Sequence, residues 1–303
     1  MANLKELRTR IERIKSTQKI TAAMKMVAAS KFRRAQLTLD KSELFQRLLI
    51  KDIKRVMLEL KALEAKEGVA YMFPKLLQQP SNPKTYALFV LSSDKGLCGN
   101  YNHLIAKEAK RRIDELKAAG KKVLVFCYGK KAEAGLKRLG FTDVSGSYPN
   151  VIKRHLTYTE AHGFLKNVWD KKKQFGADIC EIVYSDFLSG LAKTFLSKQV
   201  IPFDIELGEA DKDLDKSERA YYAYQQHPLK VLEDLVTIYM RTSIFEVLIN
   251  SQASEHVSRM TSMDNANRNA QDMISSLTFK YNSLRQSAIT TELVEIVAGA
   301  EAM

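Results

Sequence analysis

From Leu4 onward, apolar residues recur at alternating intervals of three and four, through Leu7, Ile11, Ile14, Ala28, Phe32, Ala35, Leu39, Leu49, Ile53, Val56, Leu60 and Leu63. A spacing that averages about 3.5 residues and persists over about nine heptads predicts a coiled-coil helix, because that period keeps one seam against a partner. Gln18, Thr21, Lys25, Ser42 and Gln46 occupy seam positions in the same register. Polar seam residues weaken pairing but fix its register, and they also occur where a seam meets something other than its partner helix. A second long pattern closes the chain. Leu229–Ala298, seventy residues, holds no glycine and no proline, and as one helix it would measure roughly 100 Å. Its first part carries Leu232, Leu235, Val236, Tyr239, Ile244, Val247 and Leu248, apolar enough to pack on the central domain and the first helix, and its later seam reads as Val257, Met260, Ala266, Ala270, Met273, Leu277, Tyr281, Leu284 and Ala288. Pro228 marks either a kink or the true start of this helix.

Between the two helices the pattern changes. Twelve of the thirteen glycines and five of the six prolines lie between Gly68 and Gly208. Short apolar runs read as strands at Tyr86–Leu91, Lys122–Tyr128, Ile179–Tyr184 and Phe195–Ile201. Helices are expected from the turn after Ser92 to about Ala119, over Lys130–Leu139, and from Thr157, where Glu160 three residues on completes a capping box. Strands alternating with helices predict a Rossmann-like, mainly parallel α/β domain. The fold class is therefore α/β plus coiled coil, with long N- and C-terminal helices forming an antiparallel coiled coil and the α/β domain inserted between them. The expected division is 1–67, 68–208 and 209–303.

A net charge of +13 would ordinarily point to nucleic acid or a membrane surface. Its distribution weakens both: residues 1–67 carry seventeen Lys/Arg against eight Asp/Glu, while 229–303 carry six against nine. Two helices of opposite sign are read as partners of one another, with the surplus positive charge left for an acidic protein. The longest run without Asp, Glu, Lys or Arg is the eleven residues Gly96–Ala106, too short to span a bilayer. The basic first 35 residues resemble a transit peptide in composition, but the heptad runs through them and they are read as mature protein.

Candidate chemistry is sparse. Cys98, Cys127 and Cys180 lie apart without metal-ligand spacing and are expected in the core. His103, His155, His162, His227 and His256 are scattered, and no nucleophile elbow or HExxH spacing occurs. Ser92–Asn100 sits where a phosphate loop would, yet fits neither GxGxxG nor GxxxxGK[ST]. Asp211, Asp213 and Asp215, alternating with Lys212 and Lys216, read as a solvated loop. No cofactor, metal or catalytic residue is expected. The C-terminal turns are different: Leu293, Val294, Ile296, Val297 and Ala298 make a bare apolar helix end without positive charge, which should enter something.

Three segments, Ile20–Lys31 (ITAAMKMVAASK), Ser92–Gly99 (SSDKGLCG) and Ile289–Ala300 (ITTELVEIVAGA), resemble the gamma subunit of F-type ATP synthases. Ser254–Glu255–His256 through Arg259–Met260, and Asn282 through Arg285–Gln286, extend the likeness over the whole chain. The resemblance implies a noncatalytic rotor shaft that couples ion-driven rotation of a membrane c-ring to conformational change at catalytic sites on beta subunits. Its implied partners are the alpha and beta subunits of the catalytic hexamer, the epsilon subunit and the c-ring, with no nucleic acid and no direct membrane insertion. It places Met24, Lys25 and Lys31 beside an acidic loop of beta, and Arg285, Gln286 and Thr290 in an upper contact with beta. Leu293, Val294, Ile296, Val297 and Ala298 would form an apolar bearing tip in a sleeve of alpha and beta. The implied location is peripheral, on the cytoplasmic face of a bacterial plasma membrane or the matrix face of an organelle membrane, the short lead into the first heptad favouring a bacterial chain. Nothing matches the inserted cysteine pair of chloroplast members. A coiled-coil scaffold or nucleic-acid-binding protein is the alternative, and it leaves the three segments and the apolar terminus unexplained.

Overall fold

The structure is a computed structural model and describes residues 2–68, 74, 76–149, 156–189, 192–203 and 227–301. Its elements are α1 (Ala2–Glu67), β1 (Thr85–Leu91), α2 (Tyr101–Ala118), β2 (Lys122–Tyr128), α3 (Lys130–Arg138), β3 (Gly146–Tyr148), α4 (Tyr158–Phe175), β4 (Ile179–Ser189), β5 (Ala192–Ile201) and α5 (Pro228–Glu301). The acidic stretch around Asp211–Lys216, His155 and the 208/209 boundary lie outside the described residues.

The heptad of α1 is met along its length. Leu7, Ile11, Thr21, Ala28, Ala35, Leu39, Ser42, Gln46, Leu49, Ile53, Val56 and Leu60 are all buried, so polar and apolar seam residues follow one register. Pro228 opens α5 rather than kinking it. The backbone N–H of Leu229 donates to His227 Nδ1 at 3.2 Å, which supplies a first-turn donor with a partner, and proline suits the first helical position because it has no N–H to satisfy.

Two compact units divide the chain, and they cut across both long helices rather than at their ends. One comprises Met1–Ser30, Leu97–Gly99 and Val257–Met303; the other comprises Lys31–Gly96 and Asn100–His256.

The larger unit is built on a five-stranded sheet of order β3-β2-β1-β4-β5, parallel except for β5, which pairs antiparallel with β4. Alternate residues of each strand go to opposite faces. On one face Ala87, Phe89, Leu91, Phe126, Tyr128, Cys180 and Ile182 join Phe164, Leu165 and Val168 of α4 in a continuous core. Ile53, Val56 and Leu60 of α1 and Leu232, Val236, Ile244 and Val247 of α5 belong to that same core. These parts of the long helices are thus walls of the α/β unit, which is why it does not end at residue 67. On the other face, Ile105, Ala109, Ile113 and Leu116 of α2 are buried, and Arg112 reaches the buried carboxylate of Glu181 with hydrogen bonds of 2.8 and 2.5 Å. Ser197 Oγ adds a third donor at 2.7 Å.

The capping box forms as the sequence predicts: Glu160 N–H donates to Thr157 Oγ1 at 3.3 Å, and Thr157 N–H to Glu160 Oε2 at 3.0 Å. Two features differ from the sequence reading. β3 is a three-residue edge strand, Gly-Ser-Tyr, with no apolar run to announce it. β4 and β5 extend beyond their apolar cores to Ser189 and Ala192, because a hairpin partner satisfies polar strand residues as well as apolar ones. Arg112, a charged residue among the apolar ones of α2, anchors that helix to β4.

Cys98, Cys127 and Cys180 are free and buried. Burial pushes the Cys127 and Cys180 thiols up to about 12.

Candidate functional site: the paired helices and their exposed end

The smaller unit pairs residues of α1 up to Ser30 with α5 from Val257. Gln18 Nε2 donates to Gln271 Oε1 at 2.6 Å, and Lys25 Nζ donates to Asp264 Oδ1 at 2.6 Å. Seven residues forward along α1 is seven residues backward along α5, so the pairing is antiparallel and in constant register. Two of the polar positions expected to fix that register do so directly. Arg268 Nη2 is 3.1 Å from Asp264 Oδ2. Hydrogen bonding from Lys25, with the charge of Arg268 behind it, holds the Asp264 carboxyl below its ordinary range.

The seam of α5 departs from the sequence reading at two places. Met273 is 47% exposed while Ile274 is 8% exposed, and Met263 is buried as well. The seam therefore runs Met260, Met263, Asn267, Ala270, Ile274, Leu277, Tyr281, Leu284 and Ala288, alternating three and four. Met273 and Ile274 are adjacent and both apolar, and the phase of the seam from Ala270 to Leu277 selects Ile274. Ala266, also read as seam, is half-buried beside it.

The loop after β1 supplies the unit's third piece. Leu97 adopts φ 64° and Gly99 φ 60°, and a Cβ at Gly99 would lie 3.8 Å from Ser262 Cβ. Where a phosphate would be held, this loop instead satisfies its own groups. Asp94 Oδ1 accepts from Lys130 N–H at the start of α3 at 3.0 Å, and Ser93 N–H donates to Asn102 Oδ1 at 3.0 Å. Gly129, at φ 94°, closes this arrangement, since a Cβ there would stand 2.3 Å from the Ser92 carbonyl oxygen.

Met24 and Lys25 are half-buried on α1 within this unit, and Lys31, likewise half-buried, is the first residue of the larger one. Ile20 and Val27 are more than half exposed and lie four residues before and three after Met24, so the three make one apolar row on the helix surface. Sequence reasoning singled out the methionine and missed its neighbours, although the i, i+4, i+7 spacing was present. Arg285, Gln286 and Thr290 are exposed. The Thr290 hydroxyl donates to the Gln286 carbonyl at 2.9 Å, leaving its oxygen free to accept.

Past Ala288, none of the described residues of α5 is buried. Leu293, Val294, Ile296 and Val297 are each more than half exposed, and Ala298 is exposed too. At 100° per residue these positions cover an arc of about 200°, and Glu292 and Glu295 occupy the remaining side. An exposed apolar face that wide is suited to burial against a partner, with the acidic side left for polar surroundings.

The ATP synthase family model matches residues 3–303. The ATP synthase gamma chain of Rhodospirillum rubrum is 37% identical over 306 aligned positions, and that of Erythrobacter litoralis is 38% identical over 303, with each comparison covering 100% of both chains. The chain belongs to the ATP synthase gamma-chain family. Among solved structures, a chain of the Tetrahymena thermophila mitochondrial ATP synthase central stalk and c-ring matches with a TM-score of 0.53 at 25% identity, over 82% of this chain and 99% of that one. A chain of the Euglena gracilis mitochondrial ATP synthase shares the fold with a TM-score of 0.63 at 16% identity, over 100% of this chain and 95% of that one. Gamma-chain membership makes this a noncatalytic subunit of an ATP synthase and sets aside the scaffold and nucleic-acid alternatives. No described helix is long and apolar enough to cross a membrane, and the chain's association with a membrane is through the complex.

Proposed function

We propose that this chain is the turning shaft of an F-type ATP synthase, passing rotation of a membrane c-ring to the catalytic sites of beta. The observation that carries the reading is the end of α5, where Leu293, Val294, Ile296 and Val297 form a broad exposed apolar face. Such a tip suits a sleeve lined by apolar residues of the alpha and beta subunits. Without directional hydrogen bonds, the sleeve would bear the tip without holding it at any one angle.

Torque requires that the shaft not be the same on all sides. Different faces shift otherwise equivalent sites toward open or closed states only through unequal contacts. Here the row Ile20, Met24 and Val27 is apolar, while Lys31 supplies a cation for an acidic loop of beta. Lys25 already contacts Asp264 and would meet beta with a shared charge. Farther along α5, the Arg285 guanidinium and the Gln286 amide would donate to carboxylate or carbonyl oxygens of beta, and the Thr290 oxygen would accept. The α/β unit is assigned the contacts with epsilon and the c-ring. The division into 1–67, 68–208 and 209–303 is retained as the functional one: helix, foot, helix. The proposed location is peripheral, on the cytoplasmic face of a bacterial plasma membrane or the matrix face of an organelle membrane.

The test is co-expression with cognate alpha and beta subunits, comparing the full chain with one lacking residues 292–303. The expected result is one copy of the full chain in an ATPase-active hexamer, with the shortened chain losing assembly or turnover. Failure of the full chain to join well-folded alpha and beta subunits would overturn the reading.

A further inference from the structure

In the larger unit α1 carries a second seam on its outer side. Leu37, Leu44 and Leu48 are 58%, 60% and 56% exposed, and with Lys41 they repeat at four, three and four residues. This is the same period as the buried seam of Leu39, Ser42, Gln46 and Leu49, displaced around the helix. A row of period 3.5 is what one helix presents to another, and it is the second such row on α1. The first is covered by the core; the second is bare.

Beside it lies a groove of about 380 Å³ whose walls are Thr38, Lys41, Ser42 and Phe45 of α1, Tyr158 of α4, and Ile238, Thr242 and Phe245 of α5. The Tyr158 and Phe245 rings meet edge to face, 5.9 Å between centroids, so that wall is firm. Ser42 is only 7% exposed, and its hydroxyl has no hydrogen-bond partner among the described residues. Exposed apolar surface continuous with a shaped groove marks a protein interface.

Charge selects the occupant. Residues 31–54 hold seven Lys/Arg against three Asp/Glu. Among the described residues Arg33, Arg34 and Lys41 make no ion pair, and Lys41 stands in the groove itself. A second copy of this chain, at net charge +13, would bring like charge to this face.

We propose that this face docks an amphipathic helix of another protein, apolar along one row and carrying carboxylates beside it. Leu37 to Leu48 spans about 16 Å of helix axis, so about three turns of the partner are held. Its apolar row lies over Leu37, Leu44, Leu48 and Phe45, and its carboxylates pair with Lys41 and Arg34. Helix-in-groove recognition of this kind is read out by anchors at i, i+3, i+4 and i+7.

The test uses the purified full-length chain and two labelled helical peptides of about 18 residues with an identical leucine row. One is flanked by glutamates, the other by lysines. Fluorescence anisotropy is expected to give at least tenfold tighter binding of the glutamate peptide, weakened by salt. A Leu44→Asp/Leu48→Asp chain, whose melting curve should be unchanged because both residues face solvent, is expected to lose at least tenfold of that affinity. Equal affinity for the two peptides, or unchanged binding by the double variant, overturns the proposal. Concentration-dependent self-association abolished by the double variant also overturns it, in favour of a second copy. Should the double variant melt early, Leu44→Ser alone and the comparison of the two peptides on the unaltered chain decide the matter. Because the chain is tested alone, the result is independent of whether it turns within a hexamer.

Discussion

Lys25 of α1 and Asp264 of α5 meet at 2.6 Å across the antiparallel pair, the lysine occupying a position where the heptad calls for an apolar residue. The pair is partly exposed, with 43% of the lysine side chain and 23% of the aspartate accessible, so its value is positional rather than energetic. Together with Gln18 and Gln271 it makes one register of the two helices preferable to a slip by a heptad, which would set Lys25 against an unrelated residue.

Reversing either charge should therefore cost more than removing it. Lys25→Glu and Asp264→Lys are each expected to lower the melting temperature slightly, and the double reversal to restore it. The differences should shrink at high salt, since exposed pairs are screened. Melting curves of the four chains at two ionic strengths check this; additive effects in the double variant would show that the residues do not act as a pair.

The buried anchor of the sheet should respond far more strongly. Arg112→Met leaves Glu181 buried against the sheet with only Ser197 to donate to it, and breaking a buried pair costs about 3 kcal/mol. Adding Glu181→Gln should recover most of the loss, because the remaining group is neutral and can still accept from Ser197. Urea unfolding of both variants measures it.

Gly129→Ala is expected to destabilise by at least about 2 kcal/mol, combining a left-handed backbone with a steric collision. The collision is with the Ser92 carbonyl oxygen, 2.3 Å from where the Cβ would sit. Gly163→Ala should serve as the control, since its Cβ would meet nothing within 4 Å.

Burial pushes the Glu246 carboxyl up; nearby Lys198 opposes this, while Glu43 and Asp186 add to it. Its Oε2 has no hydrogen-bond partner among the described residues. A carboxyl raised on folding binds more protons in the folded state, so stability falls as pH rises through the range between its ordinary and folded values. Glu246→Gln should thus raise the melting temperature at neutral pH, with the gain fading below the ordinary carboxylate range. A gain that persists unchanged in acid would assign the effect to packing.

At the bearing end the expectation is the reverse. Leu293→Asp with Val297→Asp should leave the melting of the isolated chain unaltered, because both residues face solvent. The same chain should assemble poorly with alpha and beta, lowering hexamer yield several-fold by gel filtration.

Periodicity carried most of the architecture. The α1 seam could be read residue by residue because spacing at 3.5 is enforced over many turns, and one mistaken residue is corrected by its neighbours. Thr157 and Glu160 announced α4 through chemistry that has a single geometric use. What stayed hidden had no local signal. β3 exists because β2 offers it an edge, not because Gly-Ser-Tyr favours a strand. The choice between Met273 and Ile274 depends on the phase of a partner helix. Lys25 could be recognised as a polar seam residue, but its partner Asp264 lies more than two hundred positions away, and only the folded register joins them. The packing of Leu232–Leu248 on the α/β domain was legible in their apolar content, but that of Leu49–Leu60 of α1 was not, since a heptad seam looks the same whether it faces one helix or a whole core.

The burial of all three thiols makes this chain a convenient carrier for reporters. With Cys127 and Cys180 held near 12, almost none of either is thiolate at the pH of ordinary maleimide chemistry, and Cys98 is covered. A single cysteine introduced at an exposed position such as Phe279 would react orders of magnitude faster than the native three. A dye or bead could then be fixed at a chosen angle around α5 without first deleting any natural residue, and its orientation followed in single molecules.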